Sequence, residues 1–342
     1  MITYAIWNNK GGTGKTSLSF QAVSRFSALN ADKKILIIDM CPQANLSELF
    51  LGGQENRGSI NLLQNQGKLP RCSIGGYFDS RLSSPFTAPS NFNAANYICT
   101  PSDFNSNITS NIDLICGDPL LELQAIAMNS LANNDIPGIN PWLSVIDWLK
   151  DFLDNVEYDY VFIDTNPSFS MYTQIALAAS DRVILPVMAD DSSRRAIQNA
   201  FSLIYGLKLP SEVYANYTFA KKMQDNGRAL PKIHLVMKNR LTQYMGDASA
   251  YQAVLAGIDT DLDALISQYP QHFNFNSPEV GTVNIKDFGT TGVVAFARGC
   301  PFDKLPTGRL AIGGPNGRRV RVNSPYRTEA IEHVDRIVAK LY

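Results

Sequence analysis

Residues Asn8–Ser17 read NNKGGTGKTS and directly follow the apolar run Ile2–Trp7. A strand that runs into adjacent glycines and then Gly-Lys-Thr turns its backbone N–H groups inward, where they cradle a polyphosphate. Gly11, Gly12 and Gly14 lack a Cβ, so the chain can take positive φ there and bring amides up to phosphate oxygens. Lys15 is placed to meet the β and γ phosphates as a point charge, and the Thr16 hydroxyl to hold Mg²⁺. The periodic segment Ser17–Leu29 is expected to form a helix whose positive end faces the same anion. Asn9, Gly11, Gly12, Thr13, Gly14, Lys15, Thr16 and Ser17 are the predicted contacts for the polyphosphate.

Asn9 stands where the common form of this loop has its first glycine, and Lys10 precedes the glycine pair. In these two features the stretch resembles the deviant phosphate-binding loop of the ParA/MinD ATPases. The resemblance implies that Lys10 reaches across a nucleotide-sandwich dimer to the partner's phosphates. The polar amide of Asn9 makes the loop more similar to ParA-like members than to MinD-like ones.

Two further runs end in an acid: KILIID at Lys34–Asp39 and YDYVFID at Tyr158–Asp164. Apolar runs without alternation suit parallel strands buried on both faces, with the carboxylate at the C-terminal end. Asp164 is then poised near a Mg²⁺-bound water, although a strand-ending cap is the plainer reading. MCPQANLS at Met40–Ser47 resembles the second signature of ParA-like ATPases, which implies a metal-side role for Asp39. Cys41 stands where the family's second aspartate orients the attacking water. A neutral thiol bonds weakly and carries no charge to polarise water. The reading is tight ATP binding with slow hydrolysis, with Asp39 or another acid as the alternative water-orienting group. Lys10, Lys15, Asp39 and Cys41 form the catalytic set; Thr16, Asp39 and Asp164 form the metal set.

The remaining strands are read at Ile112–Cys116, Ala179–Ala189, His234–Asn239 and Val283–Phe288. The loop after Ala179–Ala189 carries Asp190, Asp191, Arg194 and Arg195, and the resemblance implies that it packs across the dimer. A surface salt-bridge cluster is the equal alternative. Related ATPases contact adenine after a strand like His234–Asn239, which makes Lys238, Asn239 and Arg240 candidates. Strands alternating with helices predict an α/β P-loop NTPase fold, a mainly parallel twisted sheet with helices on both faces. One domain over 1–342 is expected, with an elaborated connection over about 52–141 and a basic hairpin plus helix over about 304–342. The helix Thr328–Leu341 mixes Glu329, Glu332 and Asp335 with Arg336 and Lys340, so it reads as docked on the sheet rather than as a membrane anchor.

From Lys304 to Arg327 there are six basic residues and no acidic ones, and GGPNG separates two short strands. Arg318, Arg319 and Arg321 on such a ribbon could lie along DNA phosphates without reading bases. An edge hairpin kept soluble by arginines is the even alternative. Net charge is −1, so any nucleic-acid surface must be local. Five widely spaced cysteines without a C-x-x-C pair point to reduced thiols. With no apolar span and no leader-like start, a cytoplasmic protein is expected.

The resemblance implies an ATP-dependent homodimer that binds DNA non-specifically, associates with the nucleoid and is released by a ParB-like or other cargo-adaptor protein. Three other readings remain: a MinD-like positioning ATPase at the membrane, a metabolic P-loop enzyme, and an ATP-gated scaffold that does not hydrolyse.

Overall fold

The structure is a computed structural model, and it describes residues 1–89, 92–188, 190–241, 248–313 and 317–342. Seven strands form one parallel sheet: β1 (Ile2–Ile6), β2 (Ile35–Met40), β3 (Ile112–Ile115), β4 (Tyr160–Thr165), β5 (Arg182–Met188), β6 (Lys232–Leu241) and β7 (Thr282–Lys286). Their order is β3-β2-β4-β1-β5-β6-β7. Parallel neighbours need a crossover, and helices supply it on both faces. The chain first builds outward on one side of β1, returns with β4, and continues on the other side. The strand order therefore reverses beside β1, which opens a crevice at its carboxyl end.

Side chains sort to the two faces with period two. Ala5, Trp7, Leu36, Ile38, Val161, Ile163, Val183 and Leu185 enter one core. Tyr4, Ile6, Ile35, Ile37, Phe162 and Ile184 enter the other, beneath α1 (Lys15–Leu29) and the last helix (Ser324–Val338). Because both layers exclude water, every residue of β2 is buried and no polar alternation survives in its sequence. On the α1 side, Phe162 stacks on Tyr4 with ring centroids 5.0 Å apart and takes the edge of Phe26 at 5.7 Å.

Several boundaries differ from the sequence reading for identifiable reasons. Helix α1 begins at Lys15 rather than Ser17, since Gly14 already takes the left-handed turn that precedes it. The spacing of Trp142, Val145, Ile146, Leu149, Phe152 and Leu153 predicts one helix from Pro141 to Val156, but there are two, Pro141–Ile146 and Trp148–Leu153, broken at Asp147, whose carboxylate is paired with Arg228. The last helix starts at Ser324, because Pro325 occupies a first-turn position where its missing N–H costs nothing. It lies against α1, with Arg25 bridging to Asp335 at 2.6 Å. No helix among the described residues is long and apolar enough to cross a membrane.

The 52–141 stretch supplies the edge strand β3 and helices Gly58–Gln66, Ile74–Leu82 and Leu120–Ala132. Tyr77 and Phe78 are fully buried, as their aromatic area demands. Close backbone approach seats the start of this stretch: a Cβ on Gly53 would lie 2.4 Å from the Gly299 nitrogen. All five cysteines are free thiols, and the Cys99 and Cys116 sulfurs lie 3.6 Å apart in the core, a proximity that their spacing of 17 residues does not reveal. The hairpin is present as β8 (Gly308–Ile312) paired antiparallel with β9 (Arg318–Val322).

Candidate functional site

Strand register brings the two acids together. Asp164 of β4 pairs with Ile6 at the end of β1 on one side and with Asp39 of β2 on the other. Both carboxyls are buried. Asp164 accepts from Thr16 Oγ1 and from Ser19 Oγ, each at 3.1 Å. Asp39 accepts from the Ser47 N–H at 2.9 Å, the Ser47 hydroxyl at 2.7 Å and the Cys41 N–H at 3.2 Å. Burial, and then the charge of Asp164, pushes Asp39 up to about 7. Burial likewise pushes Asp164 up to about 6, opposed by Lys15 and by the Ser19 and Thr16 hydroxyls.

The loop between β1 and α1 is anchored from below. Asn8 donates to the Pro186 carbonyl at 2.7 Å and accepts from the Lys10 N–H at 2.9 Å, which ties the loop to β5. Gly12 and Gly14 have φ of +75° and +84°, a conformation that opposes any Cβ. Asn239 donates to the Thr13 carbonyl at 2.9 Å, and a Cβ on Gly14 would lie 2.2 Å from the same amide nitrogen. Lys15 is 8% exposed and makes no ion pair among the described residues. Burial lowers its pKa while Asp164 pulls it back. Among the described residues Thr13 Oγ1 and Asn9 Oδ1 are buried without a hydrogen-bond partner. A buried ammonium and an unpaired hydroxyl donor at the mouth of a glycine loop fit a polyphosphate. The adjacent carboxyls, whose charges are held back by each other and by burial, fit a hard divalent cation with oxygen ligands.

Cys41 is half-buried, and burial together with Asp39 pushes its thiol up to about 12. It is therefore a neutral thiol at physiological pH. Lys10 is held within its own chain, 2.7 Å from Asp190 and hydrogen-bonded to Ser192. Although burial opposes it, Lys10 and the serines at 192 and 193 hold Asp190 down at about 2. Asp190 also caps the helix Asp191–Tyr205 by accepting the Ser193 N–H at 3.0 Å. Arg194 makes a two-pronged pair with Asp261, at 2.7 and 2.9 Å.

Beside the loop lies a cavity of about 380 Å³ whose walls include Gly14, Leu18, Asn239, Asp287 and Phe288. Its mainly apolar lining with a few polar groups suits a nucleotide base. Of the three adenine candidates, Asn239 lines it. Lys238 is buried elsewhere, paired with Asp259, and the Arg240 side chain lies outside the described residues, as does Ala189. Sequence reasoning missed Asp287–Gly289 by running β7 on to Phe288. The strand ends at Lys286, and Asp287 then accepts the Gly289 N–H at 2.8 Å. The Asp-Phe-Gly order was the available signal, being a turn composition. Ser19 and Ser47, which hold the two acids, carried no signal in spacing.

Arg318, Arg319 and Arg321 are exposed on β9. The register pairs Arg309 with Arg321 and Arg318 with Ile312. Strand alternation therefore groups Arg309, Arg319 and Arg321 on one face and leaves Arg318 on the other, with Ile312.

A family profile described as AAA domain matches residues 1–212, more than half of the chain and including the loop and both acids. The virulence plasmid ParA family protein pGP5-D of Chlamydia psittaci is 25% identical over 202 residues, 58% of this chain and 61% of that protein. The chain belongs to the ParA-like P-loop ATPase family. This ParA-like chain thus spans about three fifths of that relative's length. In fold it is similar to a Cyanothece McdA in complex with ATP, with a TM-score of 0.62 at 16% identity, over 99% of this chain and 96% of the other. It is also similar in fold to pNOB8 ParA bound to nonspecific DNA, with a TM-score of 0.53 at 17% identity, over 100% and 99% of the two chains.

Two outcomes are expected of the ParA-like site. Gly14→Ala, which forces a methyl onto Asn239 at positive φ, should weaken ATP binding at least tenfold in calorimetry while circular dichroism stays native. Both acids hold their protons more tightly folded than unfolded, since each lies above the ordinary 3.8. Their stabilisation is complete below that value and is lost as pH rises through about 6 to 7. In metal-free buffer the thermal midpoint should therefore be higher at pH 5 than at pH 8, and Asp39→Asn should narrow the difference.

Proposed function

We propose that the chain is a partition-type ATPase that binds ATP with Mg²⁺, pairs with a second copy when loaded, and holds DNA through phosphate contacts without reading sequence. The observation that carries this reading is the buried Lys15, without an ion pair among the described residues, beside two register-matched carboxyls. The loop amides and Lys15 would bind the phosphates, while Asn239 and the Asp287–Gly289 turn would flank the base. Thr16, Asp164 and Asp39 would hold Mg²⁺, which neutralises charge on the phosphates when bound. Lys10 would serve a partner's phosphates only after leaving Asp190 and Ser192.

Hydrolysis is slow in this reading. A neutral thiol at Cys41 neither orients water strongly nor takes its proton. Asp39 has both oxygens engaged by Ser47 and Cys41, so it is a poor substitute. The same observation favours a second reading, an ATP-gated scaffold in which nucleotide exchange rather than hydrolysis resets the cycle. In either case the whole chain works as one unit, at the nucleoid, with a cargo-adaptor protein as the releasing partner. The fold likeness to a ParA bound to nonspecific DNA is in keeping with the exposed face of Arg309, Arg319 and Arg321.

Size-exclusion with ATP, with ADP and with neither tests the reading: pairing should require ATP and be lost in Lys10→Ala. DNA retention by the loaded protein should fall steeply with salt. Replacing Arg309, Arg319 and Arg321 by alanine should reduce the log–log salt slope by about 2 to 3, and an unchanged slope rejects that surface. Cys41→Asp should raise ATP turnover at least tenfold; equal rates would show that Cys41 does not limit the chemistry.

A further inference from the structure

The cavity beside the phosphate-binding loop extends past the turn after β7. Its far wall is made by Gln54, Phe296 and Ile312, the last being the final residue of β8. The hairpin is fastened there twice. The Gly313 N–H donates to the Glu55 carboxylate, next to Gln54, and Arg298 donates to the Ala311 carbonyl at 3.4 Å. A second cavity, of about 270 Å³, is walled by Arg321 of β9 and by Tyr326 and His333 of the last helix. Asp287, Phe288 and Gly289 border both cavities. Each strand of the hairpin thus borders one of two spaces that share a three-residue turn.

That turn faces open space and is tied to the hairpin side of the molecule. Gly289 has φ of +47°, and no atom lies within 4 Å of where its Cβ would be. Phe288 packs edge-on against Phe302, ring centroids 4.8 Å apart, which ties the turn to the segment leading into β8. On the inner face of the hairpin Leu310, Ile312 and Val320 are half-buried against the core, with Arg318 at the exposed end of that face. The outer face carries Arg309, Arg319 and Arg321. The two faces share one backbone, so ordering the ribbon at Ile312 also orders the backbone from which Arg319 and Arg321 project.

We propose that the β8–β9 hairpin forms the outer wall of the base subsite and reads whether a purine ring is present, so that base occupancy, not phosphate occupancy, orders the arginine face. This rests on the nucleotide-binding reading above. It assigns Ile312 and Phe296 as base-contacting residues, contributed from outside the 1–212 stretch that defines the family. By reciprocity, an anionic polymer that orders the arginine face tightens the hold on the base.

The test uses ATP and inorganic tripolyphosphate, which carries the phosphates without base or ribose. It is run on a Lys10→Ala background so that pairing of copies does not contribute. Amide exchange over residues 308–312 and 318–322 should slow about tenfold with ATP and stay unchanged with tripolyphosphate. Adding Ile312→Ala, at a half-exposed position that the fold tolerates, should weaken ATP about fivefold, leave tripolyphosphate affinity as it was, and abolish the exchange response; Ile312→Val should retain it. Equal slowing by both probes, or an Ile312→Ala protein that responds like its parent, overturns the proposal while nucleotide binding stands. If neither probe binds, the nucleotide reading falls and this inference with it.

Discussion

Two carboxyl groups held side by side in a dry interior are the constraint on which the rest of this protein depends. Asp39 and Asp164 are fixed by strand register, not by loop geometry, so the sheet itself sets their separation. Neither can lose its proton cheaply while the other is charged, and positive charge nearby relieves both. Lys15 lies close enough to pull Asp164 down, and the Thr16 and Ser19 hydroxyls bond to the same carboxylate. The start of α1 and the end of β4 are thereby locked into one electrostatic unit. Its remaining need for cation and anion together is what a magnesium–triphosphate pair would supply.

The long connection after α2 (Asn45–Phe50) braces that unit. The Ser47 hydroxyl donates to Asp39 and accepts the Gly117 N–H at 2.9 Å. Gln66 in turn donates to the Gly117 carbonyl at 2.8 Å. A Cβ on Gly117 would lie 2.6 Å from the Cys41 carbonyl. The backbone of the Cys41 segment thus leans on the end of β3, and the connection buttresses it. An aspartate placed at 41 would sit beside the Asp39 carboxyl, which penalises a further negative charge.

How much of this was legible beforehand follows from where each residue's partners lie. The loop at Asn8–Ser17 and the acids ending β2 and β4 were readable because their function is local: a turn needs glycines, and a strand end needs an apolar run before it. The parallel sheet was readable as a class, since uninterrupted apolar runs imply burial on both faces, but the order of its strands was not. The partners of these groups were not. Ser47 and Ile312 approach from other elements, and Ser19, though one helical turn from Lys15, meets Asp164 across 145 residues of sequence. The hairpin shows the limit clearly. Counting arginines grouped 318, 319 and 321, whereas the cross-strand register exchanges Arg318 for Arg309 on the shared face.

Lys10 and Asp190 illustrate how one carboxylate can serve two masters. Asp190 neutralises the lysine and also caps the helix Asp191–Tyr205, whose amide dipoles point their positive end at it. Were the lysine to leave, the carboxylate would keep the Ser193 N–H and the hydroxyls of Ser192 and Ser193 as donors, so its charge would not be left without partners.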